Sequence, residues 1–293
     1  MTEIIQRDGT WSLEGDLLRI VPGHDRSVGL LRRGLGELRV PLEALAGISL
    51  ERGRRAGRLR LRLREGADPL LQVTGERLPE GADPYALTVD ADRTGVAEYV
   101  VDAVREALLL DQVPQGPCTR YLLPGPRVPV SAAAGDGSVS FDGETVRLEW
   151  NWKTEEVKSS GGARALALRD VASVEWQPSS GMEHGWLRFA VHGAAPSLPA
   201  KYDPHAVELW GFRKDATLAL VGAAVQARLP HPGAAREPAA GASGGGARAL
   251  DKGSGAGTDT LLRRLRELGE LHRSGVLTDE EFSAAKQAVL KRL

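Results

Sequence analysis

The feature that most constrains this chain is that it repeats itself. Residues 8–20 read DGTWSLEGDLLRI and residues 136–148 read DGSVSFDGETVRL, with DG, S, G and R at matching places. A repeat of this kind fixes the architecture before any single element is assigned, because each copy must be one supersecondary unit. In each copy apolar positions alternate (Trp11, Leu13, Leu18 and Ile20; Val139, Phe141, Val146 and Leu148) around a turn at Glu14-Gly15 or Asp142-Gly143. Alternation with period two predicts a hairpin with one face inward, and glycine supplies the positive φ of its turn.

The correspondence continues along the chain. VPLEALAGISLE (residues 40–51) lies against LALRDVASVEWQ (166–177), GRLRLRL (57–63) against GWLRFAV (185–191), and DPYAL (83–87) against DPHAV (203–207). The first two pairs predict a turn followed by two strands, and the third an extended X-Pro entry into another. Each copy ends in a helix-period segment: residues 94–110 with Val96, Val100, Val104 and Leu108, and residues 214–229 with Leu218, Val221, Val225 and Leu229. The expected fold class is mainly β with α. Antiparallel strands closed by one C-terminal amphipathic helix make a small barrel or bent sandwich, which leaves few strand edges open. Two such units are expected, at residues 5–111 and 131–229.

In the order and pattern of its elements the unit resembles a bacterial pleckstrin-homology-like domain. The duplicated form resembles a family of high-GC bacterial proteins, of unassigned function, built from two such repeats. The resemblance covers about residues 5–230 and implies a binding scaffold without naming a ligand.

Two segments separate the folded parts. Residues 112–130 carry five prolines, which predicts a stiff connector that either holds the repeats apart or docks them in one way. Residues 230–257 are almost wholly Gly, Ala, Pro and Ser, too poor in large apolar side chains to order themselves, and predict a disordered linker with a span of about 30 Å. Helix signals return at residues 258–293. Leu261, Leu265 and Leu268 mark one face of a first helix, stopped at Ser274-Gly275; Thr278 with Glu281 forms a capping box that opens a second, with Phe282, Val289 and Leu293 on one face after Leu277. The run LRRLRELGELHRSGVLTDEEF (262–282) closely resembles the short C-terminal domain called SHOCT. A two-helix hairpin of this size cannot offset its own ordering entropy, so it needs a partner surface. Self-association through Leu261, Leu265, Leu268, Leu277, Phe282, Val289 and Leu293 is the simplest one.

Charge and chemistry narrow the function. The net charge of -1 gives no whole-chain field for nucleic acid or an anionic membrane. Residues 52–64 nevertheless hold seven arginines, and on a strand Arg58, Arg60, Arg62 and Arg64 form a basic row opposite Leu59, Leu61 and Leu63. That row is the candidate anion-binding site for nucleic acid or anionic lipid; the plainer reading is a solvated strand face, since no aromatic residue interleaves and the second copy lacks the row. Trp150, Trp152, Trp176, Trp186 and Trp210 all fall in the second copy, with core packing expected for Trp150 and Trp152; any that are exposed would mark that half as protein-binding. His184, His192 and His205 with Asp203 fit no metal-ligand spacing, and the glycine-rich run at 241–249 has no strand before it and no lysine placed for phosphate.

No catalytic residue, metal or cofactor is therefore expected. One cysteine, Cys118, an N-terminus without a basic and apolar leader, and no apolar run of membrane-spanning length point to the cytoplasm. The expected function is non-enzymatic binding or scaffolding. Its partner is a protein, a peptide or the chain itself, with the basic strand as the alternative.

Overall fold

Alternating apolar residues set the strands of both copies. In the computed structural model the described residues are 2–234, apart from 54–55, 76, 181–182, 195–197 and 211–215. Repeat one runs β1 (Thr2–Gln6), β2 (Gly9–Glu14), β3 (Leu17–Pro22), α1 (Leu30–Leu35), β4 (Leu38–Pro41), β5 (Leu45–Glu51), β6 (Ala56–Leu63), α2 (Pro69–Thr74), β7 (Ala86–Asp90) and α3 (Thr94–Leu110). Repeat two runs β8 (Val130–Ala133), β9 (Gly137–Phe141), β10 (Thr145–Trp150), α4 (Glu156–Ser159), β11 (Arg164–Ala167), β12 (Val171–Gln177), β13 (Gly185–Val191), β14 (Ala206–Leu209) and α5 (Thr217–Gln226).

Each repeat is a four-stranded antiparallel sheet followed by a three-stranded one: β1-β2-β3-β4 and β5-β6-β7, then β8-β9-β10-β11 and β12-β13-β14. The hairpins read from the sequence are in place, with Trp11 opposite Ile20 and Val139 opposite Leu148, and with Gly15 and Gly143 at φ 65° and 115°. Even the irregularities correspond, since β5 slips register between Leu45 and Gly47 and β12 between Val171 and Ser173. Inward residues of both sheets of repeat one, such as Trp11, Ile20, Leu59 and Leu87, share one core with Val100 and Val104 of α3.

The two repeats belong to one compact unit. The means of joining is α5. One side of this helix packs on β8, β9, β12 and β13 of its own repeat, and the other on α1 and α2 of repeat one. Leu31, Leu70, Val73 and Ala82 of repeat one therefore sit in the core cluster of repeat two. Close approach depends on two glycines. A Cβ at Gly34 of α1 would lie 2.7 Å from Leu220 Cδ1, and one at Gly222 would lie 2.9 Å from Leu187 Cδ1 and 3.0 Å from Val73 Cγ1. Residues buried on all sides explain why α5, reading TLALVGAAVQ, has no polar face.

The connector is docked and contributes to the core: Leu123 is buried, the Cys118 N–H donates to Glu65 O at 2.7 Å, and the Leu122 N–H donates to Ala67 O at 2.8 Å. The linker expected to be disordered from residue 230 needs correction at its start. His231 docks on repeat one and the connector, its Nε2 2.9 Å from Gly66 O and its ring 4.5 Å from that of Tyr121. Among the described residues no helix is long and apolar enough to cross a membrane.

Candidate docking face

The DG pairs shared by the two copies begin a buried clamp. In repeat two the Asp136 carboxylate accepts from the Glu208 N–H at 2.8 Å and from Lys158 Nζ at 2.6 Å, and Lys158 also donates to Ala200 O at 2.9 Å. In repeat one Asp8 accepts from the Thr88 N–H at 3.0 Å, its carboxylate lies 3.6 Å from Arg32, and the Arg32 Nη2 donates to Asp8 O at 2.8 Å. Burial pushes the Arg32 guanidinium below its ordinary pKa, and Asp8 opposes that shift. Each clamp carries a cation from the β3–β4 or β10–β11 connection into the sheet and so fixes that connection against the strands.

Counting from the two cations, and from Asp83 and Asp203 of the two DP pairs, puts one surface of repeat one in register with one surface of repeat two. Leu31, just before Arg32, corresponds to Val157, just before Lys158; Leu78 corresponds to Leu198, and Ala82 to Tyr202. In repeat one these positions join the core cluster that contains α5: Leu31 is 1% exposed, Ala82 is buried, and Leu78 packs against the same cluster. In repeat two nothing among the described residues covers them. Val157 is 72% exposed, Leu198 51% and Tyr202 40%, and Trp152, five residues before Val157, is 89% exposed. The two loops that carry them are held together by the Lys158–Ala200 hydrogen bond and by a Glu155–Lys201 ion pair at 2.8 Å. Lys153 lies 5.2 Å from the centre of the Trp152 ring, and Lys201 lies 5.2 Å from that of Tyr202.

Trp152 corrects the expectation of core packing. The alternation of β10 stops at Trp150, whose Nε1 donates to Gly162 O at 2.9 Å, and the chain turns before Trp152. Trp176 is buried, whereas Trp186 and Trp210 are half-buried. The sequence reading missed Val157, Leu198 and Tyr202. The signal was present in the second DG, but only its pairing with Lys158 brings the two loops into register with repeat one.

The basic strand keeps its alternation and loses half its row. Leu59, Leu61 and Leu63 are buried. Arg58, however, is paired with Glu80, and Arg64 donates to Gly116 O and Glu43 O, each at 2.8 Å. Arg60 and Arg62 remain exposed beside a cavity of about 360 Å³ lined by Ser49, Leu71, Leu78, Asp83 and Tyr85. Below it Asp68 caps α2, accepting from the Leu70 and Leu71 N–H groups and from Tyr85 Oη at 2.7 Å. Burial raises the Asp68 carboxyl above its ordinary pKa against those bonds, and burial next to Asp68 raises the Tyr85 hydroxyl well above its own.

His184, His192 and His205 do not converge. His184 lies 3.8 Å from Glu208 and His205 4.0 Å from Asp203, and among the described residues no three His, Cys, Asp or Glu side chains are placed to share a metal ion. Cys118 is buried, and burial raises its thiol pKa. The expected assembly residues Leu261, Leu265, Leu268, Leu277, Phe282, Val289 and Leu293 lie outside the described residues.

The chain is a tandem-repeat protein, mainly β with α, whose open apolar face lies on the second repeat. The family model described as Domain of unknown function (DUF4429) matches residues 11–105 and again 139–226, more than half of the chain, and the chain belongs to that family. A second model, described as Short C-terminal domain (SHOCT), matches residues 263–290. No curated protein matches the chain.

Proposed function

We propose that this chain is a non-enzymatic cytoplasmic binding protein whose two pleckstrin-homology-like repeats form one rigid body, with the C-terminal segment as a device for assembly or docking. The face of repeat two around Trp152, Val157, Leu198 and Tyr202 is its protein-binding site. One observation carries the reading: the corresponding positions of repeat one are packed into a core with an apolar helix, α5, while repeat two keeps its large apolar residues at those positions in the open. Exposed aromatic and aliphatic side chains clustered on a surface fixed from beneath are what a protein interface needs, and isolated exposed ones would carry no such meaning. The ligand chemistry this favours is an amphipathic helix laid into an apolar groove.

Anion binding through the basic strand has less support. With Arg58 and Arg64 engaged inside the protein, two arginines remain, and two phosphate contacts give a weak, strongly salt-dependent attachment.

Selecting helical peptides from a displayed library on the full chain tests the proposal. Selected peptides should present an apolar stripe and lose binding to Val157→Glu while still binding Arg60→Glu/Arg62→Glu. Peptides indifferent to Val157→Glu, or lost with the arginines and with salt, would overturn it.

A further inference from the structure

Between the repeats the chain uses a heterologous contact, in which the terminal helix of one repeat covers the α1/α2 surface of the other. Such a contact leaves two unsatisfied ends. One is the open face of repeat two. The other is the outer side of α3, the helix of repeat one that corresponds to α5. Val100, Val104 and Leu108 of α3 align with Val221, Val225 and Leu229, so Tyr99 stands where Leu220 stands. Leu220 is buried, at the contact with Gly34, whereas Tyr99 is 65% exposed.

The exposed large apolar residues concentrate at these two ends. Among the described residues four are on α3, namely Val96, Tyr99, Leu109 and Leu110, and four are on the repeat-two face; elsewhere there are only Ile5 and Leu30. The position of Leu110 corresponds to that of His231, which packs on Gly66 of repeat one beyond the end of α5. The helix half of the internal contact is thus present a second time on α3, and the α1 part of the other half on α4, while no helix among the described residues between β13 and β14 corresponds to α2.

We infer that the occupant of the repeat-two face is α3 of a second copy of this chain, seated on α4 as α5 is seated on α1, so that copies associate head to tail. This rests on the reading of that face as a protein-binding site and names its partner. Tyr99 of one copy meets Ser160 of the next, as Leu220 meets Gly34 within the chain. The contact is smaller than the internal one. Where the connector's Gly125 closes on Ala223 of α5 and Ala227 just after it, α3 carries Asp102 and Glu106, and the contact between copies has no connector to bury them. Glu106, two turns from Tyr99 on the same side of α3, confines the contact to the turn around Tyr99, which leaves the association reversible and dependent on concentration.

The test is sedimentation of the full chain over a range of concentrations. Tyr99→Glu and Val157→Glu are each expected to weaken the concentration-dependent rise in mass at least about tenfold, as loss of a central interface anchor does. Mixing the two variants should restore one dimer, because each retains the end the other lacks. In a mixture of chains carrying Tyr99→Cys and Ser160→Cys, oxidation should join unlike chains and leave like chains apart. If Val157→Glu abolishes helical-peptide binding while Tyr99→Glu leaves the mass unchanged and no unlike pair forms, the face serves another protein and this inference alone fails. If Val157→Glu alters neither peptide binding nor mass, the binding-site reading fails with it. A 99-to-99 disulfide as the main product would also overturn the head-to-tail arrangement.

Discussion

Helices α3 and α5 close equivalent sheets, align residue for residue along one stripe, and live in different surroundings. The stripe of α3 (Ala97, Val100, Val101 and Val104) is buried and its opposite side is solvated. In α5 every residue after Thr217 is buried. The difference arises from what lies behind each helix: the α1/α2 surface of repeat one covers α5, and nothing among the described residues covers α3. A helix buried on two sides must shed its charges, which is why Glu98, Asp102 and Glu106 of α3 stand where α5 has alanines. The duplication therefore yields one compact body instead of two tethered ones.

The comparison can be broken most severely at Leu31 and Val157, the same position in the two repeats. Leu31→Glu would put an unpaired carboxylate under α5 and should lower the unfolding free energy by more than about 4 kcal/mol, whereas Val157→Glu should stay within about 0.5 kcal/mol. Urea denaturation of both variants checks this, and equal losses would mean that the two positions are covered alike. The clamp is next. Lys158→Ala leaves Asp136 buried beside an empty position and should cost about 3–4 kcal/mol, with a second change, Asp136→Asn, restoring part of the loss. The helices themselves give a smaller contrast: Leu220→Ala should cost about 2–3 kcal/mol, and Tyr99→Ala, measured on dilute protein, almost nothing. The smallest separation lies within the basic strand, where Arg64→Ala frees two carbonyls and costs about 1 kcal/mol while Arg60→Ala leaves the melting temperature unchanged.

The elements within each repeat were legible because their signals are local. Period-two alternation located the hairpins, and the helix read from residues 94–110 spans the same residues in the structure. The same rule carried one step too far buried Trp152, because alternation cannot tell where a strand ends and β10 ends at Trp150. The joining of the repeats was in view but unread: LALVGAAV is apolar all round, and such a helix needs cover on both sides. The charged partners were out of reach. Lys158 meets Asp136 across 22 residues and Arg64 meets Gly116 O across 52, and no spacing rule links positions so far apart. Half of the arginine row was lost for that reason, and the open face came into register with the covered one only through the buried cations.

The most direct test of the covered and open pair is amide hydrogen exchange on the full chain at low and high concentration. Thr217–Gln226 should exchange at a slow rate independent of concentration, because α5 opens only when both repeats unfold. Thr94–Leu110 should exchange faster in dilute protein and slow down as concentration rises, together with Glu156–Ser159. If α5 exchanges as fast as α3, or if neither α3 nor α4 gains protection with concentration, the account is contradicted.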